Sequence, residues 1–234
     1  MAEYKEIEMG DLGMVFVRRN ARARRYLLRV VNGHVYATIP AHGSEREMLS
    51  FVNEQRVRLL RMLENAPERR ILNESTEFDT QTFSLRISRT SLDNFYMTLK
   101  DGVLHITCPS QTDFSEEHVQ KLLWKILEDA LRYEAKRELP TIIANLAKAH
   151  GFKYAKIKIN NSRTHWGSCT GQKNINLSLS VMLLPKHLSE YILLHELCHT
   201  VEMNHSERFW LLMDKVTGGK ASVCRSELKK YQML

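Results

Sequence analysis

The sequence has no long apolar run: nothing in it approaches the ~20 residues a helix needs to cross a bilayer, so a membrane protein is not expected. Its opening, MAEYKEIEMG, is polar and acidic, without the basic and apolar segments of a secretory signal. Cysteine is sparse. Cys108, Cys169, Cys198 and Cys224 are scattered, and no two form a C-x-x-C pair. A disulfide framework is therefore not expected, and a reducing cytoplasm is the expected location. A Walker A loop and a dinucleotide-binding glycine pattern are both absent. No low-complexity tract is evident, nor any repeat with a period of about 20–50 residues.

What remains is the composition of an ordinary folded protein. The 234 residues are 43% hydrophobic and 26% charged, enough for one large domain or two small ones with ample core. The net charge of +7 suits an anionic substrate or nucleic acid without requiring either. Part of it lies in Arg18-Arg19-Asn20-Ala21-Arg22-Ala23-Arg24-Arg25. That run reads either as a solvated strand or loop, or as a phosphate-contacting surface. Only Tyr26 offers a nearby aromatic, so a stacking platform for single strands has little support.

The periodicities predict an α+β fold. Residues 14–17 read as a short strand. Residues 27–31 and 35–39 flank Asn32-Gly33, a hairpin signal. Ser44 and Glu47 form a capping box for a helix running to about Leu63, closed by Asn65 to Pro67. Alternation at Phe83, Leu85 and Ile87, then Phe95, Met97 and Leu99, then Val103 to Cys108 after Asp101-Gly102, predicts an antiparallel meander. The character changes near 114–115. A long helix follows, broken at Leu139-Pro140, with a second helix capped by Gly151. Strands at 156–160 and 175–179 then lead to a further helix. The expected division is 1–114, a β-rich N-terminal region with one helix, and 115–234, a helical unit with a short sheet.

The stretch YILLHELCHTVEMNH, residues 191–205, carries the chemistry. His195-Glu196-Leu197-Cys198-His199 is an H-E-x-x-H motif. On a helix, residues four apart share a face, so both imidazoles can meet one metal ion. Glu196 lies about 100° round, at the edge of that face, within reach of a water beside the ion. Leu193, Leu194, Leu197 and Val201 fall on the opposite side and read as core. A catalytic zinc takes three protein ligands and a water. His205 would lie about 9 Å beyond His199 on a continuous helix, too far for zinc bonds of about 2.0–2.1 Å. For His205 to serve, the helix must end first. Asn204 suits a left-handed terminus there, and Ser206 suits the N-cap of a new helix from Glu207. Glu202 is the alternative ligand. Cys169 reads either as packing beneath the cleft or as a fourth ligand that would make a structural site.

Together with Trp166-Gly167-Ser168-Cys169 and Asn174-Ile175-Asn176-Leu177, the run HELCHTVEMNHSERFW resembles the YgjP-like metallopeptidase domain family, which is related to the SprT and WLM-type zinc peptidases. The resemblance is specific over residues 157–210. It implies a zincin-like unit with zinc ligands at His195, His199 and His205, and Glu196 as general base. It also implies a substrate-binding edge strand at 174–179. The family commonly has Arg directly before the Trp of W-G-S-C; this chain has His165, with Arg163 two residues earlier. Arg163, His165, Trp166 and Asn176 are the expected substrate-binding residues, and Arg163, His165, Tyr191 and Arg208 the candidate oxyanion donors.

The expected function is zinc-dependent hydrolysis by a metal-activated water, of a peptide or protein. One alternative is a metal-dependent nucleotide pyrophosphohydrolase. Another is a nucleic-acid-associated protein that binds through its basic N-terminal half, with a zinc unit that is structural or acts on bound proteins.

Overall fold

The computed structural model describes residues 4–31, 33–64 and 71–234. The chain divides into two compact units, Met1–Arg70 and Ile71–Leu234. The first holds four strands, β1 (Lys5–Glu8), β2 (Met14–Arg19), β3 (Leu27–Val31) and β4 (His34–Ile39), in the order β1-β2-β4-β3. The β3–β4 hairpin forms as expected, with Gly33 at φ 72° in its turn; Asn32 lies outside the described residues. The capping box forms too: Glu47 N–H donates to Ser44 Oγ at 3.1 Å, and Ser44 N–H donates to the Glu47 carboxylate at 2.9 Å. The expected single helix is instead two, α1 (Glu45–Glu54) and α2 (Arg56–Glu64), divided at Gln55. The division lets Met48 and Val52 of α1 and Leu59 of α2 reach one core with Val15, Val35 and Ala37. The expected helix end at Asn65 to Pro67 lies outside the described residues. Part of the arginine run is structural. Arg19 donates to the carbonyls of Pro40, Ala41 and Gly43 at 3.2, 3.1 and 2.8 Å, and the Arg18 guanidinium lies 5.3 Å from the Tyr4 ring centroid.

In the second unit, β5 (Ser84–Thr90), β6 (Tyr96–Lys100) and β7 (Val103–Pro109) make a sheet ordered β5-β7-β6. This corrects the expected meander: β5 pairs with β7, in parallel, and β6 takes the other edge. Burial explains the order. Leu104, Ile106 and Cys108 of β7 are wholly buried, whereas β6 is mostly exposed and suits an edge. The first unit has the same arrangement, with β2 parallel to β4 and β3 outside. Arg89 at the end of β5 donates to the carbonyls of Ser110 and Thr112 at 2.7 and 2.9 Å, much as Arg19 ties down the loop after β4. Two strand–hairpin–helix modules of one topology thus recur along the chain.

Helix α3 runs unbroken from Glu117 to His150, 34 residues, or about 50 Å at 1.5 Å per residue. The expected break at Pro140 does not occur. An interior proline costs about 3 kcal/mol through its missing N–H and its ring. Here Leu131, Ala135, Leu139, Ile143 and Ala147 on both sides of it are buried in one core. Each fully buried Leu or Ile contributes about 1.5–3 kcal/mol, so packing outweighs the local cost. Gly151 caps the helix in the left-handed conformation, as expected. The change of character near 114–115 marks the approach to α3 and falls within the second unit, because Leu85, Ile87, Leu104 and Ile106 share that core with Leu123 and Leu127.

Beyond α3, β8 (Lys156–Asn160), β9 (Gly167–Cys169) and β10 (Asn174–Ser178) form a three-stranded sheet with β10 in the middle. A 3₁₀ turn (Leu179–Leu183) leads to α4 (Lys186–Cys198), α5 (Glu207–Thr217) and α6 (Ala221–Leu228). The architecture is α+β, with the H-E-x-x-H motif at the end of α4 beside the short sheet. No helix of the described residues is long and apolar enough to cross a membrane.

Because α3 is continuous through Pro140, replacing that proline by alanine restores a backbone donor inside a helix. Pro140→Ala is expected to raise stability by about 1–3 kcal/mol, read as a higher urea midpoint at unchanged slope. No gain would mean that the helix is effectively interrupted there.

Candidate metal centre

Helix α4 stops one turn earlier than its apolar spacing suggests. Past His199, the N–H groups of Thr200 and Val201 donate to the carbonyls of Leu197 and Cys198, both at 3.0 Å, which tightens the last turn. The Thr200 hydroxyl also donates to the Leu197 carbonyl, at 2.7 Å. The chain then reverses, and α5 begins at Glu207 with Ser206 as its N-cap residue. Two expectations are corrected. Asn204 is not left-handed; among the described residues only Asp101 and Lys173 are non-glycines with positive φ. Val201 is 61% exposed rather than core, because the helix has already ended.

The reversal brings His205 back. His195 Nε2 lies 3.2 Å from His199 Nε2 and 3.0 Å from His205 Nε2. These three are the one group of His, Cys, Asp or Glu side chains, among the described residues, close enough to share an ion; Cys169 and the Glu202 carboxylate are not in it. Four-coordinate tetrahedral zinc with bonds of about 2.0–2.1 Å holds its ligand nitrogens about 3.3 Å apart, so the spacing fits such an ion. Glu202 contributes through its main chain instead. Its carbonyl lies 3.1 Å from His199 Nδ1, and since a carbonyl only accepts, Nδ1 carries the proton and Nε2 presents a lone pair.

The centre rests on an aromatic floor. Phe209, wholly buried, has its ring centroid 4.9, 4.5 and 4.8 Å from those of His195, His199 and His205. Trp210 stacks on His205 at 5.8 Å and 25°. The amphipathic start of α5 thus locks the returning turn. Burial sets the charges. It holds the His195 imidazole down at about 3, helped by the neighbouring His199 and His205 and by the Arg225 cation. It also lowers His199, against the Glu202 carbonyl. At neutral pH both are neutral, as metal ligation requires. Glu196, only 4% exposed, is raised by burial to about 8, and its Oε2 has no hydrogen-bond partner among the described residues.

The W-G-S-C segment lies against α4 as β9, with Gly167 touching the Glu196 side chain. Trp166 packs half-buried on the core. The other expected substrate residues are placed differently. Arg163 reaches Glu128 of α3 at 3.2 Å. His165 is exposed, its Nδ1 2.8 Å from Thr164 Oγ1. Asn176 donates to Ser168 Oγ at 3.3 Å, on the sheet face opposite Gly167, Ile175 and Leu177. The expected substrate edge at 174–179 is corrected: β10 is paired on both sides, and of the two edge strands, β8 and β9, it is β9 that lies against α4. The sequence reading also missed Arg225. Its guanidinium lies 4.7 Å from the Trp210 ring centroid, and its charge is felt at His195 and Tyr191. Nothing in the local pattern around Arg225 signals this; only the packing of α6 on α4 and α5 brings it there.

Comparison with known proteins gives one family and one partial likeness. The model of the family described as YgjP-like, metallopeptidase domain, matches residues 24–231. The crystal structure of the metallopeptidase zymogen of Pyrococcus abyssi abylysin is similar at 22% identity, covering 41% of this chain and 98% of that one, with a TM-score of 0.36. At that score the likeness decides neither fold nor activity. No curated protein matches the chain.

The buried imidazole predicts an acid slope. With His195 held near 3 in the fold, against about 6.5 when unfolded, its contribution to stability is present above pH ~6.5 and lost as pH falls towards 3. Melts of the metal-free protein in the Glu196→Gln background, where no buried carboxyl opposes the slope, should therefore show a Tm that drops as pH falls through this range, and adding His195→Gln should flatten the drop. Glu196, raised to about 8, has the opposite sign: its contribution is present below pH ~4.5 and lost as pH rises through 8. Glu196→Gln should remove that alkaline slope.

Proposed function

The chain belongs to the YgjP-like metallopeptidase domain family, and on that premise we propose that it is a zinc peptidase whose metal is held by His195, His199 and His205. The convergence of the three Nε2 atoms carries the reading. Three converging imidazoles beside a buried carboxyl are the donor set of a catalytic zinc site, which keeps a fourth position for water or substrate. When bound, the ion supplies Lewis acidity: it polarises a carbonyl and brings the pKa of a water down to about 7.

The chain's own residues do the rest. Glu196 takes the proton of the attacking water and returns it to the leaving amide nitrogen. Its burial favours that role, because a carboxylate in an apolar setting is a stronger base than one in water. The His199–Glu202 contact and the Phe209 floor hold the imidazoles in register, so the ligands need little rearrangement. Substrate would align on β9. Trp166 O accepts from Ser178 N–H at 2.8 Å, and Thr170 N–H donates to Asn174 O at 3.0 Å. By the alternation of an antiparallel ladder, Gly167 and Cys169 then turn their N–H and C=O groups to the free edge. An extended peptide can add there as a further strand, beside Glu196. Arg225, stacked on Trp210, joins Tyr191 as a candidate donor to the developing oxyanion. The pyrophosphohydrolase and nucleic-acid alternatives rest on charge balance alone, and two of the arginines behind them are engaged with carbonyls or a ring.

Two variants test the reading. Glu196→Gln should keep its zinc and lose hydrolysis of an unfolded protein substrate by about 10²–10⁴-fold. His205→Ala should lose most of its zinc in elemental analysis. Full zinc in His205→Ala would move the third ligand elsewhere, and an active Glu196→Gln would remove the base.

A further inference from the structure

Gly167 has no side chain at the point where β9 meets Glu196. A Cβ built on its backbone would stand 2.6 Å from Glu196 Oε1, 2.7 Å from Cγ and 2.8 Å from Cδ. Favourable contacts between such atoms lie at about 3.5–4.0 Å, so even one methyl group overlaps the whole carboxyl end. Conformation does not demand glycine here. Gly167 is not among the glycines with positive φ, and its backbone is that of an ordinary strand. The requirement is for room. Gly171, in the turn that follows, has no atom within 4 Å of its own Cβ position and so faces no such demand.

Neither side of this contact can give way cheaply. β9 is clamped to β10 on both sides of Gly167, through Trp166 and Thr170. On the other side, Glu196 sits on α4 between His195 and the buried Leu197, itself only 4% exposed. Turning its carboxyl away would press it into the core or out towards the imidazoles. The face bearing Gly167 is bounded at the next position by Cys169, a half-buried side chain that feels the Glu196 charge.

We propose that Gly167 is a positioning residue for Glu196: its missing Cβ is the slot that holds the carboxyl against the β9 edge, where a strand-like substrate would lie. The proposal rests on Glu196 being the general base. A catalytic group moved by about 1 Å loses on the order of 100-fold in rate. The slot therefore governs turnover, while the three histidines, whose atoms are not the ones the added methyl meets first, keep their grip on the metal.

The test uses the full-length, zinc-loaded protein. Gly167→Ala is expected to lower kcat by about 100-fold or more, with zinc content unchanged and KM changed by less than about 3-fold. Gly171→Ala should match wild type throughout. A second, activity-independent measurement compares the Tm loss caused by Gly167→Ala in the wild-type and Glu196→Ala backgrounds; direct contact requires that loss to shrink by at least half once the carboxyl is gone. Equal losses in both backgrounds, or kcat within about 2-fold of wild type in Gly167→Ala while Glu196→Gln is inactive, would overturn the slot and leave the base standing. An active Glu196→Gln would remove the base, and the melting comparison would still decide the contact. If Gly167→Ala alone fails to fold, recovery of folded protein in the Glu196→Ala background supports the proposal, and no recovery overturns it.

Discussion

The candidate metal centre depends on α4 ending at His199, its C-cap residue. A helix advances about 1.5 Å per residue, so one more turn and a half would have carried His205 out of reach. Instead the last N–H groups tighten onto Leu197 and Cys198, and His205 returns to 3.0 Å from His195. Local hydrogen bonds end the helix, but they do not choose where the chain goes next. Phe209 does, by burying its ring completely beneath all three imidazoles. Burying such a side chain contributes about 1.5–3 kcal/mol, so the core of the second unit stabilises the geometry of the site directly.

The same burial sets the site's protonation. Removing water keeps His195 and His199 neutral, the form in which an imidazole can bind a metal, and raises the Glu196 carboxyl. These groups are held in states that solvent would not favour, a cost characteristic of functional sites. The buried Oε2 of Glu196 and Nδ1 of His195, both without partners among the described residues, show where that cost is carried. β9 closes the arrangement from the other side, with a bare backbone where any other residue would collide.

Several features were legible because short-range chemistry dictates them. His195 and His199 share a face through helical spacing alone. Ser44 and Glu47 cap their helix through a bond across three residues, and Gly33 and Gly151 take the positive φ that their turn and cap require. Other features were not legible, for reasons that can be named. Pro140 marks a local cost of about 3 kcal/mol, but the pattern around it does not say that apolar residues on both sides enter one core. Alternating strands look alike whether their partners run parallel or antiparallel, so the β5–β7 pairing and the central place of β10 were hidden. Arg225 lay in a short C-terminal helix with no local mark of its approach to Trp210.

The sequence by itself determined the candidate donor set and its first half: two imidazoles and a carboxyl at one helix end, with a third histidine a few residues beyond. That much follows from covalent spacing and the period of the helix. The tertiary structure decided the rest, because His205, Phe209, Gly167 and Arg225 reach the site from separate elements whose meeting is set by packing. Whether a histidine just past a helix becomes a ligand, or a glycine becomes a slot, depends on what another part of the chain buries against it.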